Sequence, residues 1–192
     1  GYGSGRTNIT NLINSSGVVG ADVTGVGTAR NALAAAGYGG DKAIFGFGTT
    51  GSFTAITNLV NNSGVVAADV SGVGTARMEL AAATYGTDKA IFGFGTNSSE
   101  GTPLSLTNLV NNSGVVASDT TGVGTDKRTL AATGYGTDKA IFGYGLDSGN
   151  SSTTNLVSNS GVVATDTSGV GTARYGLAAA RYGGDKALFA YG

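Results

Sequence analysis

The stretch Tyr38-Gly39-Gly40-Asp41-Lys42-Ala43-Ile44-Phe45-Gly46-Phe47-Gly48 decides the fold, because it returns with little change over residues 85–95, 135–145 and 182–192. A spacing of about 50 residues between copies is the mark of sheets or helix pairs that stack as solenoids, propellers or arrays. Within the stretch, strand alternation places Ala43, Phe45 and Phe47 on one face and Ile44, Gly46 and Gly48 on the other. Aromatic rings on one sheet could then fit against glycine on the next.

Upstream lies Asn31-Ala32-Leu33-Ala34-Ala35-Ala36-Gly37-Tyr38. Leu and Ala favour helices, but the segment is bounded by glycine-rich turns and has no polar face at a 3.6-residue period. It is expected to be a strand near the axis of a radial array, where small residues let neighbouring sheets converge. Before it, Asp22-Val23-Thr24-Gly25-Val26-Gly27-Thr28-Ala29-Arg30 recurs from Asp69, Asp119 and Asp166, the third copy carrying Asp126 and Lys127 in place of Ala and Arg. Paired glycines break regular structure, so this is a connection between strands. Earlier still, Asn11-Leu12-Ile13-Asn14-Ser15-Ser16-Gly17-Val18-Val19 sets an Asn/Ser/Gly cluster between β-branched runs, the pattern of a hairpin. Residues 49–56, 96–106 and 146–154 differ in length and sequence, hold the only proline, Pro103, and are expected to be exposed loops. The repeats run approximately over residues 1–48, 49–95, 96–145 and 146–192 of a single domain, 1–192. Gly1–Gly3 match the end of the central stretch, so the chain enters in mid-repeat, and a start at Gly1 rather than Met suggests a processed or partial product.

Charged residues make up 12% of the chain and 35 residues are glycine, whereas about a quarter of an ordinary soluble domain is charged. The surface must therefore be polar through Ser, Thr and Asn, or be covered. With a net charge of −1 and 11 Lys and Arg scattered among the repeats, no basic stripe exists to meet phosphates, and no nucleic acid partner is expected. No apolar run reaches the ~20 residues of a membrane span, so no membrane insertion is expected. Cysteine and histidine are both absent. That removes disulfides, thiolate metal sites, the commonest general base and the commonest activated nucleophile. No catalytic constellation remains, and neither enzyme activity nor a cofactor or metal is expected.

Three sets of residues recur in ways that could serve binding. Tyr38, Tyr85, Tyr135 and Tyr182 end the alanine-rich strands at equivalent positions; they could form an aromatic ring at one mouth of an array, holding a sugar, or pack with their hydroxyls bonded. Asn14, Asn61 and Asn111 open N-x-Ser sequons at one repeat position, and Asn8, Asn97 and Asn150 also fit the pattern. They are glycosylation candidates or simply turn residues. Asp41-Lys42, Asp88-Lys89, Asp138-Lys139 and Asp185-Lys186 are expected to fix turns through the aspartate, and Asp22, Asp69, Asp119 and Asp166 offer one acid per repeat, too few for a calcium cage.

The order of parts resembles the kelch repeat. Arg30, Arg77, Lys127 and Arg174 match its arginine, and the following strand pairs end at Gly46-Phe47-Gly48, Gly93-Phe94-Gly95, Gly143-Tyr144-Gly145 and Ala190-Tyr191-Gly192. The resemblance covers nearly the whole chain and agrees with a period of about 50. An aromatic splits the glycine pair and tryptophan is absent, which leaves a chromosome-condensation-regulator type of blade as the near alternative. The wording of the repeats is also similar to uncharacterised structural proteins of tailed bacteriophages from aquatic environments. The resemblance implies an all-β fold, a β-propeller of about four four-stranded kelch-like blades. The half-blades over residues 6–22 and 175–192 are expected to complete each other and close the ring, or to pair between molecules as a larger ring or fibre.

These features together point to a non-enzymatic structural and recognition module of a virion or extracellular assembly, its variable loops meeting a surface glycan or neighbouring subunits. The partners expected are further copies (a homo-oligomer) or other assembly subunits. The alternative is a glycosylated, self-assembling extracellular fibre subunit; a carbohydrate-active enzyme using carboxylates such as Asp22 with Asp41 is the least supported.

Overall fold

The computed structural model describes residues 5–192, so the match of Gly1–Gly3 to the end of a repeat lies outside the described residues. Every regular element among them is a strand: β1 (Ala34–Tyr38), β2 (Lys42–Gly46), β3 (Thr57–Val60), β4 (Ala81–Tyr85), β5 (Lys89–Gly93), β6 (Thr107–Val110), β7 (Ala131–Tyr135), β8 (Lys139–Leu146), β9 (Asn150–Val157), β10 (Ala178–Tyr182) and β11 (Lys186–Ala190). They form small antiparallel sheets in the orders β1-β2-β3, β4-β5-β6, β7-β8-β9 and β10-β11. The alanine tracts are extended, as expected: Ala34 lies opposite Gly46 and Tyr38 opposite Lys42.

Each three-stranded sheet draws on two repeats. One repeat supplies the hairpin that turns after Tyr38, here the tyrosine hairpin. The next supplies β3 and its return strand, the asparagine hairpin, with residues 66–70 held by the bridges Val60–Val66 and Thr57–Val70. The expected four-stranded blades are not formed: the sheets have two or three regular strands, and in the three-stranded ones the return segment of the asparagine hairpin is held only by bridges. Across this hairpin Asn58 Nδ2 donates to the Ala67 carbonyl at 3.1 Å.

Neighbouring sheets stack through a ring set on a glycine. A methyl group on Gly46 would lie 2.8 Å from Cζ of Phe92 in the next sheet; Phe142 sits the same way over Gly93, and Phe189 over Gly143. Phe47 meets Phe92 edge-on at 5.1 Å between centroids, and Phe94 meets Phe142 likewise at 5.1 Å, the geometry aromatic quadrupoles favour. The alternation expected for this strand fails at one residue. Phe47, Phe94, Tyr144 and Tyr191 all have φ between 62 and 67°, a left-handed conformation that ends the strand and turns each ring off the face shared by its neighbour two residues earlier. Phe92 thus faces the preceding sheet and Phe94 the following one. Two apolar clusters result, one around Ile44, Phe47, Phe92 and Val110, the other around Ile91, Phe94, Phe142 and Val157.

Backbone bonds lock the same joints. Gly39 N–H donates to the Asp88 carbonyl at 2.7 Å and Gly48 N–H to the Arg77 carbonyl at 2.9 Å, and both bonds recur at the two later joints. The repeated turn they impose does not bring the last sheet back to the first. The expected closure of the ring by both chain ends is not formed: among the described residues β11 pairs only with β10, and the asparagine hairpin over residues 10–23 pairs only with itself.

The ring seat gives a direct prediction. Gly93→Ala places its methyl 2.7 Å from Phe142 Cζ, and overpacking of this kind costs about 1–3 kcal/mol. A urea melt should show the lowered midpoint with an unchanged slope; an unchanged midpoint would mean the ring does not occupy that seat.

Candidate functional site

A polar clasp joins the two hairpins of each three-stranded sheet. In the second sheet Arg77 is wholly buried. Its Nε donates to the Phe94 carbonyl at 2.8 Å, Nη1 to the Thr75 carbonyl at 3.1 Å and Nη2 to Asn108 Oδ1 at 2.7 Å. The guanidinium lies 4.3 Å from the centre of the Phe47 ring of the preceding sheet and 3.8 Å from Asp119 Oδ1. Asp119 in turn accepts the Thr75 N–H at 2.9 Å, the Thr75 hydroxyl at 2.7 Å and Asn108 Nδ2 at 2.9 Å. The second glycine of the Gly-x-Gly connection is required here, since a methyl on Gly74 would lie 2.5 Å from Asp119 Oδ1 and 2.6 Å from Asn108 Nδ2.

Thr28, Arg30, Asn58 and Asp69 repeat this clasp in the first sheet. Thr125, Lys127, Asn155 and Asp166 repeat it in the third, where Lys127 Nζ reaches Asn155 Oδ1 at 2.6 Å and so stands in for the arginine. Sequence reading matched the arginines but missed Thr, Asn and Asp as one unit. The signal available was their strict recurrence: Asn11, Asn58, Asn108, Asn155; Asp22, Asp69, Asp119, Asp166; Thr28, Thr75, Thr125, Thr172.

Electrostatics follow from burial. Desolvation pushes the Arg77 guanidinium down to about 10, against the pull of Asp119, so it remains charged at neutral pH. For Asp119, burial acts to raise the carboxyl, but bonds from Thr75 and Asn108 and the charge of Arg77 outweigh it and hold the group below its ordinary value of 3.8. A carboxyl depressed on folding stabilises fully above the unfolded value, and the stabilisation is lost as pH falls through the lower folded value. Acid unfolding should therefore be blunted in Asp119→Asn, the variant losing less stability than wild type between pH 5 and pH 2; parallel acid titrations of the two proteins would contradict the clasp.

At the two ends the clasp is split. The hairpin over residues 10–23 holds Asn11 and Asp22, bonded to each other at 2.8 Å, and among the described residues no threonine or arginine side chain bonds to them. The last sheet holds Thr172 and Arg174 with neither Asn nor Asp opposite; Arg174 Nε keeps the bond to the Tyr191 carbonyl that Arg77 makes to Phe94, while Nη2, which in Arg77 meets Asn108, donates to the Phe189 carbonyl.

The recurring tyrosines are not equivalent in their surroundings. Tyr38 and Tyr85 are buried between sheets, against Gly114 and Gly161 respectively, while Tyr135 is half-buried and Tyr182 half exposed. Burial, helped by the charge of Asp88, raises the Tyr85 phenol. Asn14, Asn61 and Asn111 are exposed in the hairpin turns, each Oδ1 accepting two backbone N–H groups, as Asn61 does from Ser63 and Val65. Asn97 and Asn150 are exposed on the variable segments, whereas Asn8 spends its Nδ2 on the Gly25 and Gly27 carbonyls. At the tyrosine turns Asp41-Lys42 and Asp185-Lys186 are exposed while Asp88, Lys89 and Asp138 are half-buried, and Asn62 donates to Asp41 there. Asp22 and Asp41 therefore have separate partners. Among the described residues no three of His, Cys, Asp and Glu gather as a metal site.

The structure brings together the stretches in which the repeats differ. Bridges join Asn31 to Thr49, Met78 to Thr96 and Arg128 to Leu146, so residues 31–32 and 78–79 lie beside the segments that follow β2 and β5 and residues 128–129 beside the β8–β9 hairpin, where the exposed loop expected over 146–154 is instead strand at Leu146 and 150–154, with Ser151 buried. Arg128 bonds Glu79 across adjacent sheets at 2.6 Å. The uniform turns at Tyr38 and Asn61 occupy the opposite end of the sheet, as the Asn62–Asp41 bond shows. A cavity of about 440 Å³ is lined by Ala35, Ala82, Thr84, Thr133, Lys139 and Arg181, mostly on the alanine strands. The chain matches no family model, and no curated protein matches it.

Proposed function

We propose that the chain is a non-enzymatic structural and recognition module of a virion or another extracellular assembly, built as a kelch-like propeller-type stack. The observation that carries this reading is that the differences in length between repeats, and most of those in sequence, fall at one end of the sheets, where residues 31–32, 78–79 and 128–129 border the segments that follow β2, β5 and β8. A rigid scaffold bearing varied loops is the common arrangement of recognition surfaces. Convergence of the alanine strands, with Arg181 of β10, on one cavity supports the propeller-type reading. The surface offered is polar and low in charge, suited to a glycan or to a neighbouring subunit. A glycan array probed with wild type and with a variant whose residues 96–106 are replaced by residues 49–56 tests it. Binding that changes with the swap supports the reading, and binding of no surface polymer together with absence from any particle removes it.

A second reading, a glycosylated extracellular fibre subunit, draws on the exposed Asn14, Asn61 and Asn111 side chains at equivalent turns. Mass spectrometry of the mature protein decides whether they carry sugar.

A further inference from the structure

We propose that the third sheet carries a covalent modification site, where Lys127 Nζ and the Asn155 side chain condense into an intramolecular amide bond, Asp166 carrying the proton and ammonia leaving. The third clasp is the one that departs from the pattern, since Lys127 stands where Arg30 and Arg77 stand in the other two. A guanidinium keeps its charge and has no lone pair to give, whereas a lysine amine, once neutral, is a nucleophile. Arg77 Nη2 can therefore only hydrogen-bond Asn108 Oδ1. Lys127 can react with the group it touches.

The three groups that such a condensation needs lie together. Lys127 Nζ is 2.6 Å from Asn155 Oδ1, so the carbon to be attacked is one bond further on. Asp166 Oδ1 is 3.8 Å from Nζ and accepts Asn155 Nδ2 at 2.8 Å. One carboxylate oxygen thus faces both the entering and the leaving nitrogen. Thr153 Oγ1 accepts from Nζ at 3.0 Å and holds the amine in place, and the Phe94 ring of the preceding sheet, its centre 5.2 Å from Nζ, supplies an apolar wall. Lys127 and Asn155 are both wholly buried, so the amide carbon is shielded from water while the amine is held against it.

Burial lowers the Lys127 ammonium below its ordinary value, against the pull of Asp166 and Asp147, which eases loss of its proton. For Asp166, burial acts to raise the carboxyl, but bonds from Thr125 and Asn155 and the charge of Lys127 hold it below 3.8. It starts as a carboxylate and keeps a proton only briefly. In the reaction the Lys127 ammonium passes one proton to Asp166, and the neutral amine attacks Cγ of Asn155, forming the C–N bond as the C=O pair moves onto Oδ1. When that pair returns, the Cγ–Nδ2 bond breaks. Nδ2 leaves with the bonding electrons, takes the second proton of the amine and the one held by Asp166, and departs as ammonium. Asp166 is a carboxylate again, and no oxidant or reductant is consumed.

The bond joins residues 28 apart in the chain and ties the segment leading into β7 to β9. It would constrain the unfolded chain as a disulfide does, in a protein without cysteine. Its formation needs neither glycan nor particle, so it stands or falls apart from the recognition reading.

Intact-mass spectrometry of the folded 192-residue chain, denatured only for the measurement, tests this. Wild type should be lighter than its sequence by one ammonia, about 17 Da, and digestion should release a branched peptide joining Lys127 to Asn155. Lys127→Arg, which restores the residue of the other two clasps, should give the wild-type circular-dichroism spectrum and keep the full sequence mass. Asp166→Asn should keep the full mass as well. A wild type of full sequence mass after days at neutral pH, or an equal loss in Lys127→Arg, overturns the proposal. A loss retained in Asp166→Asn overturns the part given to the carboxylate.

Discussion

Asn108→Leu should destabilise the protein by about 3–5 kcal/mol, while Asn11→Leu, the same change at the equivalent position of the first repeat, should cost less than ~1 kcal/mol. Asn108 is fully buried and serves two charged groups at once, accepting from Arg77 and donating to Asp119. Each hydrogen bond to a charged group contributes about 1.5–3 kcal/mol, and its loss in the interior also leaves the surviving partner unsatisfied. Leucine matches the volume roughly but can take neither bond, so the wholly buried Arg77 loses the acceptor for Nη2. Asn11 is exposed and bonds only within its own hairpin. Denaturant melts of the two variants at a dilution where the chain sediments as one small species give the comparison. Equal losses would show that the clasp is not the source of the difference.

The second large effect belongs to Phe142→Ala, expected to cost about 3–5 kcal/mol. Phe142 is fully buried, meets Phe94 edge-on and fills the seat over Gly93, so its removal leaves a cavity between the second and third sheets. Stacked repeats owe their stability to such nearest-neighbour contacts. Phe45→Ala, at the open face, should cost far less. The two partners of the seat must also couple: the penalty of Gly93→Ala should largely vanish in a Phe142→Ala background, because the added methyl then enters empty space. Additive losses in that double mutant, read from urea midpoints, would rule out the direct contact.

Much of this architecture can be read from the repeats. The alanine tract around Ala35 is extended over five residues, Ala34–Tyr38, between the left-handed Ala32 and the Gly39-Gly40 turn, too few for a helix to stabilise itself. The turn at Asn14-Ser15-Ser16-Gly17 follows from residues that bond their own backbone. Phe47 escaped the alternation rule because that rule assumes negative φ throughout, and nothing local announces a left-handed phenylalanine; Tyr191 keeps the same conformation with its ring 89% exposed, so burial of the ring is not its cause. The clasp was illegible for a different reason. Thr75 and Asp119 are 44 residues apart, and no local pattern pairs them until the sheet brings two repeats together. The tyrosines show the same limit, since one motif is buried at Tyr38 and exposed at Tyr182 purely by position in the stack. Ring closure was expected from the complementary ends, but among the described residues β10-β11 and the hairpin over residues 10–23 do not pair with each other.

The most direct test of the account is residue-resolved hydrogen exchange on the dilute chain, since amides in stacked, clasped sheets exchange only through local opening. The amides of Thr75, Thr125, Gly86 and Gly136, which donate across hairpins or sheets, should be slow, and those of Thr172 and Gly183, their counterparts at the open face, should be fast. Strong protection at Thr172 and Gly183 in a monomer would mean that the ends close on each other, and fast exchange at all six would mean that the sheets do not stack at all.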